Sequence, residues 1–97
     1  MLVNEGKIKR IVFEDPTTYL LREELLKRIN EIWDREGFTY SEFARRGRTA
    51  LSQAQKFRDR DIKAGTAEKL LQVLRDLGYG AIISVRPGLC SVQVFAL

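Results

Sequence analysis

The apolar positions of the chain change their period along the sequence. Residues 7–13, KIKRIVF, alternate loosely and are rich in β-branched side chains, which predicts a short N-terminal strand. Helical spacing then begins, with an apolar stripe formed by Leu21, Leu25, Leu26, Ile29, Ile32 and Trp33. We expect this first long helix to start at Asp15-Pro16, where Asp caps free N–H groups and Pro fits the first helical position, and to end at Gly37.

A second, shorter helix has the clearest start in the sequence. Thr39 and Glu42 have the spacing of a capping box, in which the Thr hydroxyl accepts from the Glu42 N–H and the carboxylate accepts from the Thr39 N–H. Phe38 and Phe43 flank the box at the positions of a hydrophobic staple. We expect Gly47 to close this helix in the left-handed conformation.

Two further helices are predicted before the apolar period changes again. Thr49 would cap a third helix, ALSQAQKF, whose apolar face consists of Ala50, Ala54 and Phe57, with Leu51 to one side. Thr66 would cap a fourth helix that Gly78 ends, and its apolar stripe consists of Ala67, Leu70, Leu71, Leu74 and Leu77.

After Gly78 the alternation of apolar and polar residues predicts two strands, AIISV and SVQVFA, joined by a turn at Pro87-Gly88. The whole pattern predicts a single domain over residues 1–97, mainly α within the α+β class. Four to five helices would occupy residues 15–78, and a small sheet would combine a strand or arm in residues 1–14 with a hairpin in residues 79–97. Such a sheet either caps the core of one chain or pairs two chains through an open edge.

Composition narrows the class of protein. The chain is 44% hydrophobic and has two prolines, which is typical of a folded domain. No apolar run approaches the ~20 residues that cross a bilayer, and the N-terminus lacks the apolar stretch of a secretory signal. The single cysteine, Cys90, fits a reducing compartment. We therefore expect a cytoplasmic protein with no membrane partner.

The residue types that carry most enzyme chemistry are scarce. The chain has no histidine, no glycine-rich phosphate loop, and carboxylates that mostly alternate with cations. Cys90 lies beside a predicted strand without a base to activate it, which favours a buried or half-buried structural thiol. We expect no enzyme activity, no small-molecule substrate, and no cofactor or metal site.

Charge is concentrated in one segment. Residues 43–63 hold seven Lys and Arg against two Asp, whereas residues 14–36 hold seven Asp and Glu against four Lys and Arg. Such clustering is typical of a surface for a polyanion, and a solvated surface of mixed charge is the alternative. Within the basic segment, residues 50–55 carry no charge at all.

Residues 39–58 fit a DNA-binding helix-turn-helix, in which the second helix lies in the major groove. Ala44 and Gly47 supply the small residue and the tight turn, and Ala54 and Phe57 supply the inner anchors. The candidate base contacts on the outer face of the third helix are Leu51, Ser52, Gln53, Gln55 and Lys56. The candidate phosphate contacts are Thr39, Arg45, Arg46, Arg48, Arg58 and Arg60. A generic α domain with a solvated third helix is the alternative.

Several stretches together resemble a known family. The pattern T-x-x-E-x-A-R-R appears at Thr39, Glu42, Ala44, Arg45 and Arg46, and LL-x-x-L-x-x-LG follows at Leu70, Leu71, Leu74, Leu77 and Gly78. With the long first helix and the strand AIISVRP, these pieces resemble the Xre family of phage-repressor-like regulators, nearest to the HigA-type antitoxins, over roughly residues 20–87. The turn Gly47-Arg48-Thr49 departs from the family's apolar-Gly-apolar pattern, which leaves the start of the third helix open by about one residue.

The resemblance implies a lambda-repressor-like fold and a homodimer that binds double-stranded DNA at an operator, with a cognate toxin as a further partner in antitoxins. Together with the residues above, it predicts a sequence-specific transcriptional regulator, an antitoxin-like repressor. The alternative is a protein-interaction module, either a toxin-neutralising antitoxin or a phage or host adaptor, with weak or no DNA binding. RNA binding has less support, because no predicted sheet carries the paired aromatic residues of common RNA modules.

Overall fold

A computed structural model describes residues 16–97, which form four helices followed by a two-stranded antiparallel hairpin. The elements are α1 (Pro16–Glu36), α2 (Tyr40–Arg46), α3 (Leu51–Arg58), α4 (Ala67–Asp76), β1 (Tyr79–Arg86) and β2 (Leu89–Ala96). This arrangement confirms a mostly helical α+β fold. The strand predicted at residues 7–13, the arm at residues 1–14 and the cap at Asp15 lie outside the described residues.

Helix α1 supplies the centre of the core. The predicted apolar stripe is buried, since Leu21 is half-buried and five other members are at most 3% exposed: Leu25, Leu26, Ile29, Ile32 and Trp33. Full burial of such a side chain stabilises the fold by about 1.5–3 kcal/mol, so this one stripe is a large part of the driving force. Gly37 follows the helix with φ +69°, the left-handed conformation expected for its end.

Aromatic rings fix α2 and α3 against the C-terminal half of α1. The ring of Phe43 stacks on Trp33 with centroids 4.1 Å apart, and it meets Phe57 edge-on at 6.3 Å. Phe38 also meets Phe43 edge-on at 6.2 Å, which confirms the hydrophobic staple. Because Phe43 contacts Trp33 of α1, Phe57 of α3 and Phe38 just ahead of its own helix, it fixes the relative positions of all three helices.

The connection between α2 and α3 contradicts the predicted role of Gly47. Its φ is −82°, and it is Arg48 that adopts the left-handed conformation, with φ +54°. Gly47 is buried, and a Cβ placed there would lie 3.1 Å from the carbonyl oxygen of Phe43 and 3.2 Å from Cγ1 of Val73. The lack of space between the last turn of α2 and Val73 of α4, not an unusual conformation, therefore favours the glycine.

The predicted cap of α3 is also wrong. The N-cap residue is Ala50, which forms no side-chain hydrogen bond, and its exposed side chain does not belong to the apolar face. The buried residues of that face are Ala54 and Phe57. Since Arg48 takes the left-handed conformation in place of Gly47, the chain turns one residue later and α3 starts at Leu51.

Helix α4 follows the prediction closely. The Thr66 hydroxyl accepts from the backbone N–H of Lys69 at 3.1 Å, which confirms the cap. Its inner side is buried at Leu70, Val73, Leu74 and Leu77. Gly78, with φ +99°, then leads into β1. None of the helices within residues 16–97 is long and apolar enough to cross a membrane.

One face of the hairpin packs on α1. Its strands pair without interruption from Tyr79 opposite Ala96 to Arg86 opposite Leu89, and the turn falls at Pro87-Gly88 as predicted. Val92 is 1% exposed, and the half-buried side chains around the core include Ala81, Ile83, Cys90 and Val94. Burial raises the pKa of the Cys90 thiol, so this half-buried group stays protonated at neutral pH.

Candidate functional site

Four of the five predicted base-contact residues share one exposed face of α3. Leu51 is 49% exposed, and Ser52, Gln55 and Lys56 are exposed beside it. Leu51 and Ser52 lie one helical turn before Gln55 and Lys56, so all four side chains lie on the same side of α3. These four residues are called the α3 surface below. It combines one apolar group, two neutral hydrogen-bonding groups and one cation.

Gln53 lies on a different side of the same helix. It is half-buried, and its amide nitrogen donates a hydrogen bond to the carbonyl oxygen of Ala64, in the connection between α3 and α4. The structure therefore does not bring Gln53 into the α3 surface. Its side chain ties α3 to that connection instead.

Exposed cations, called the border residues below, precede and follow α3 along the chain. Arg45 and Arg46 end α2, Arg48 lies in the following connection, and Arg60 comes two residues after α3. The guanidinium of Arg46 lies over the ring of Phe38, 5.4 Å from its centroid. None of the four belongs to the salt bridges formed within the described part of the chain. Arg45 and Arg46 still lie near enough to the Glu42 carboxylate to help lower its pKa, and Arg60 shares a surface cavity with Glu23 and Glu24 of α1.

Arg58, a predicted phosphate contact, is bound by α1. Its guanidinium donates to Oδ1 of Asn30 at 3.0 Å and to Oδ1 of Asp34 at 2.5 Å, and it lies 4.9 Å from the ring centroid of Trp33. Asn30 is 4% exposed, and its amide nitrogen donates to the carbonyl oxygens of Leu26 and Phe57, both at 2.9 Å. Four of these interactions join α3 to α1, so they fix the C-terminal end of α3 on α1.

The sequence pattern did not predict this role for Asn30. The residue lies between Ile29 and Ile32 in the stripe of the first helix, where a buried amide needs hydrogen-bond partners. A polar residue inside an apolar stripe is the signal that could have identified it. Its partners could not be read from the sequence, because Phe57 and Arg58 are 27 and 28 residues away.

The start of α2 has the predicted capping box. The Glu42 N–H donates to the Thr39 hydroxyl at 3.1 Å, and the Thr39 N–H donates to the Glu42 carboxylate at 2.9 Å. That backbone hydrogen bond from Thr39 lowers the pKa of Glu42, so the carboxylate is charged at neutral pH. Thr39 itself is exposed, and its hydroxyl hydrogen is available to an external acceptor.

Two backbone features lie in the residues just before α3. Arg48 has φ +54°, a conformation that costs a non-glycine residue about 1–2 kcal/mol. Ala50 provides no side-chain acceptor for the first N–H groups of α3, which are therefore open to water or to an external anion. The chain thus places a strained arginine and an uncapped helix start next to one another.

Comparison of the chain with protein-family models, with curated proteins and with solved structures gives no match. The resemblance to Xre regulators stays a prediction from the short motifs given above. What the chain can do is therefore argued from its own side chains: the hydrogen-bonding α3 surface with its one lysine, the exposed cations before and after α3, and a buried polar cluster that holds the helix in place.

Proposed function

We propose that the chain binds double-stranded DNA and recognises its sequence with the α3 surface. In this proposal α2 and α3 are a helix-turn-helix, with α3 in the major groove and α2 across its back. The observation that carries the proposal is the arrangement of charge: neutral hydrogen-bonding groups on the exposed face of α3, and exposed arginines before and after that helix in the chain. Base edges are discriminated by such groups, whereas phosphates attract cations without regard to sequence.

Each member of the α3 surface has a distinct part in base recognition. Gln55 offers an amide that pairs bidentately with adenine, and Ser52 offers a hydroxyl that donates or accepts at several base edges. Leu51 is half-exposed and suits contact with a thymine methyl group. Lys56 adds a donor for guanine. Together they would cover a few base pairs.

The border residues position the protein on the DNA backbone. Arg45, Arg46, Arg48 and Arg60 are exposed cations for phosphates, and the Thr39 hydroxyl is an additional donor. The uncapped start of α3 supports the same function, because its free N–H groups and the helix dipole favour an anion. Each contact adds affinity on every sequence and fixes the orientation of α3.

Gln53 and Arg58 take a positioning role in this proposal. Both side chains are bound within the chain, by Ala64 in one case and by Asn30 and Asp34 in the other. They hold α3 at its two sides, so the α3 surface meets the groove in one orientation. Pre-organisation of this kind reduces the entropy that ordering would cost on binding.

The biological function that fits is a transcriptional regulator, an antitoxin-like repressor that acts by occupying an operator. One recognition helix reads only a few base pairs, so two copies on two half-sites would double both the base and the phosphate contacts. A protein-interaction module, such as a toxin-neutralising antitoxin, is the second candidate. The observation that favours it is the exposed apolar hairpin, with Ile82, Leu89 and Phe95 each at least 45% exposed.

Selection of bound sequences from a randomised duplex library tests the proposal. Wild-type protein should enrich one sequence motif, and the double variant Ser52→Ala with Gln55→Ala should lose that preference. It should bind the selected site about 10–100-fold more weakly and random DNA nearly unchanged, because a good bidentate pair is worth about 1–3 kcal/mol of discrimination. Gln72→Ala, which removes a glutamine amide from α4, is the matched control and should keep the motif. Enrichment of no motif, or equal weakening on all DNA, would contradict base recognition.

A further inference from the structure

Leu51 is the apolar member of the α3 surface and the first residue of the helix. It is 49% exposed, and it is not among the side chains that pack against the core of the described residues. The other large hydrophobic side chains exposed on α1–α4 are those of Tyr19 and Tyr40, and each of these carries a hydroxyl group. Within the described helices, Leu51 is therefore the large exposed side chain that neither donates nor accepts a hydrogen bond.

The backbone that carries Leu51 is held in place by the rest of the helix. Ala54 and Phe57 face the core and are 0% exposed, and the carbonyl oxygen of Phe57 accepts from the Asn30 amide at 2.9 Å. Gln53 ties the same helix to the connection that follows it. The leucine side chain is thus presented from an anchored helix, so little backbone has to be ordered when it meets a ligand.

The major groove offers such a side chain one apolar partner, the C5-methyl group of a pyrimidine. Thymine has this group, and cytosine acquires it at the same carbon atom when it is methylated, whereas uracil and unmodified cytosine lack it. The other groups that distinguish the bases in this groove are hydrogen-bond donors and acceptors. A leucine placed against one of them removes it from water without a hydrogen bond in return, which costs free energy.

Ser52, the neighbour of Leu51 on the α3 surface, suits either pyrimidine. Its exposed hydroxyl can donate to the O4 atom of thymine or accept from the N4 amino group of cytosine. Residues 50–55 also carry no charge that would favour one of these two groups over the other. Where Leu51 contacts a base, the methyl group therefore matters more than the identity of the pyrimidine that carries it.

We infer that Leu51 makes DNA binding depend on a C5-methyl group, carried either by thymine or by 5-methylcytosine. This dependence rests on the proposed function and goes beyond it, because a chemical modification of the DNA becomes part of what the α3 surface recognises. A site with cytosine at the contacted position would be bound more tightly after methylation of that cytosine. Occupancy of the site would then respond to the methylation state of the DNA.

Gln55 defines where the methyl group lies. Leu51 and Gln55 are one turn apart on α3, and side chains at this spacing have Cβ atoms about 5–6 Å apart. Successive base pairs rise by about 3.4 Å, so the two side chains reach positions within about two base pairs of each other. The methylated pyrimidine is therefore expected close to the adenine that Gln55 recognises.

The burial of one methyl group sets the size of the effect. Removing such a group from water changes an affinity about fourfold. Loss of the methyl group at the contacted position should therefore weaken binding by about three- to sixfold. The slope of log K against log salt should stay the same, because the phosphate contacts do not change.

Single-base replacements in the duplex selected from the randomised library test the inference. That library contains no 5-methylcytosine, so selection should place thymine at the contacted position. Each thymine is replaced in turn by uracil, and fluorescence anisotropy gives the ratio of the two affinities. For wild-type protein the ratio should be about 4 at one thymine near the adenine and about 1 elsewhere. At that position, 5-methylcytosine paired with guanine should be bound about fourfold more tightly than cytosine paired with guanine.

Two variants with side chains of similar length assign the effect to Leu51. Leu51→Met keeps an apolar side chain and should keep the ratio of about 4, whereas Leu51→Gln introduces an amide and should lower it to about 1. Circular dichroism checks that both variants retain their helices. Because the ratio compares two duplexes with the same protein, it does not depend on the fraction of protein that is active.

Three results would overturn the inference and leave DNA recognition by α3 in place. These are a wild-type ratio of about 1 at every thymine of the selected motif, equal affinity for the two cytosine duplexes, and a ratio in Leu51→Gln that equals that of wild type. If no motif is enriched from the library, the proposed function fails and the methyl dependence fails with it.

Discussion

Gly47 is the position where the structure gives the sharpest expectation for a single substitution. In Gly47→Ala the backbone can stay as it is, because φ is −82° and alanine adopts that conformation without strain. The added Cβ, however, would be 3.1 Å from the carbonyl oxygen of Phe43 and 3.2 Å from Cγ1 of Val73. Both distances are a few tenths of an ångström shorter than ordinary van der Waals contact, and the first partner is backbone.

Two effects of opposite sign determine the size of the change. Over-packing at a buried site costs about 1–3 kcal/mol. Replacement of Gly by Ala also reduces the entropy of the unfolded chain, which stabilises the fold by about 0.4–1 kcal/mol. We therefore expect the free energy of unfolding to fall by about 1–2 kcal/mol, because relief by a shift of Val73 leaves the Phe43 contact in place.

Urea unfolding followed by circular dichroism measures this change, and Gly65→Ala is the matched control. A Cβ at Gly65 would meet its nearest atoms, in Lys69 and Phe57, at 3.5 Å, which is ordinary contact. The control should unfold within about 0.5 kcal/mol of wild type or be slightly more stable. If Gly47→Ala proved as stable as the control, the close approach of Val73 to Gly47 would be refuted.

Three further substitutions test other parts of the account. Arg48→Gly should raise the free energy of unfolding in urea by up to about 1 kcal/mol, because glycine adopts a φ of +54° without strain. The same variant should bind random DNA more weakly, because it loses a cation. A lower free energy of unfolding would contradict the strain at Arg48. Asn30→Leu should cost about 1–3 kcal/mol in the same assay, because the Phe57 carbonyl oxygen loses its hydrogen bond from the Asn30 amide and Arg58 loses one of its two acceptors. Unchanged stability would contradict that role. Glu42→Ala should be less stable than wild type at neutral pH, and the difference should shrink as the pH falls through the folded-state pKa of Glu42, which the Thr39 N–H lowers below its unfolded value. A difference that does not change with pH would contradict the charged cap.

Local signals predicted much of the fold. The capping box at Thr39, the cap at Thr66 and the end of α1 at Gly37 depend on residues within a few positions of each other, and all three are confirmed. The hairpin turn at Pro87-Gly88 is local in the same sense. Such features follow from side-chain hydrogen bonds and backbone conformation, which the sequence contains directly.

The errors arose where distant residues decide the outcome. Gly47 was assigned the left-handed conformation because glycine adopts it most easily, but contact with Val73 on α4 requires a glycine there for space. Arg48 takes the strained conformation as a result, and α3 begins one residue later. The bonds of Arg58 to Asn30 and Asp34 likewise depend on packing between helices. The candidate site was therefore predictable as a segment, but the direction of each side chain was not.

The salt dependence of binding to random duplex DNA tests the central claim most directly. If Arg45, Arg46, Arg48 and Arg60 contact phosphates, fluorescence anisotropy should show the affinity of each copy falling about 100-fold between about 50 and 200 mM salt. Arg45→Ala should reduce the slope of log K against log salt by about 0.9, whereas Lys27→Ala, at an exposed cation of α1, should leave it unchanged. No detectable binding at low salt, or a slope that is the same in both variants, would contradict DNA binding by the α3 surface.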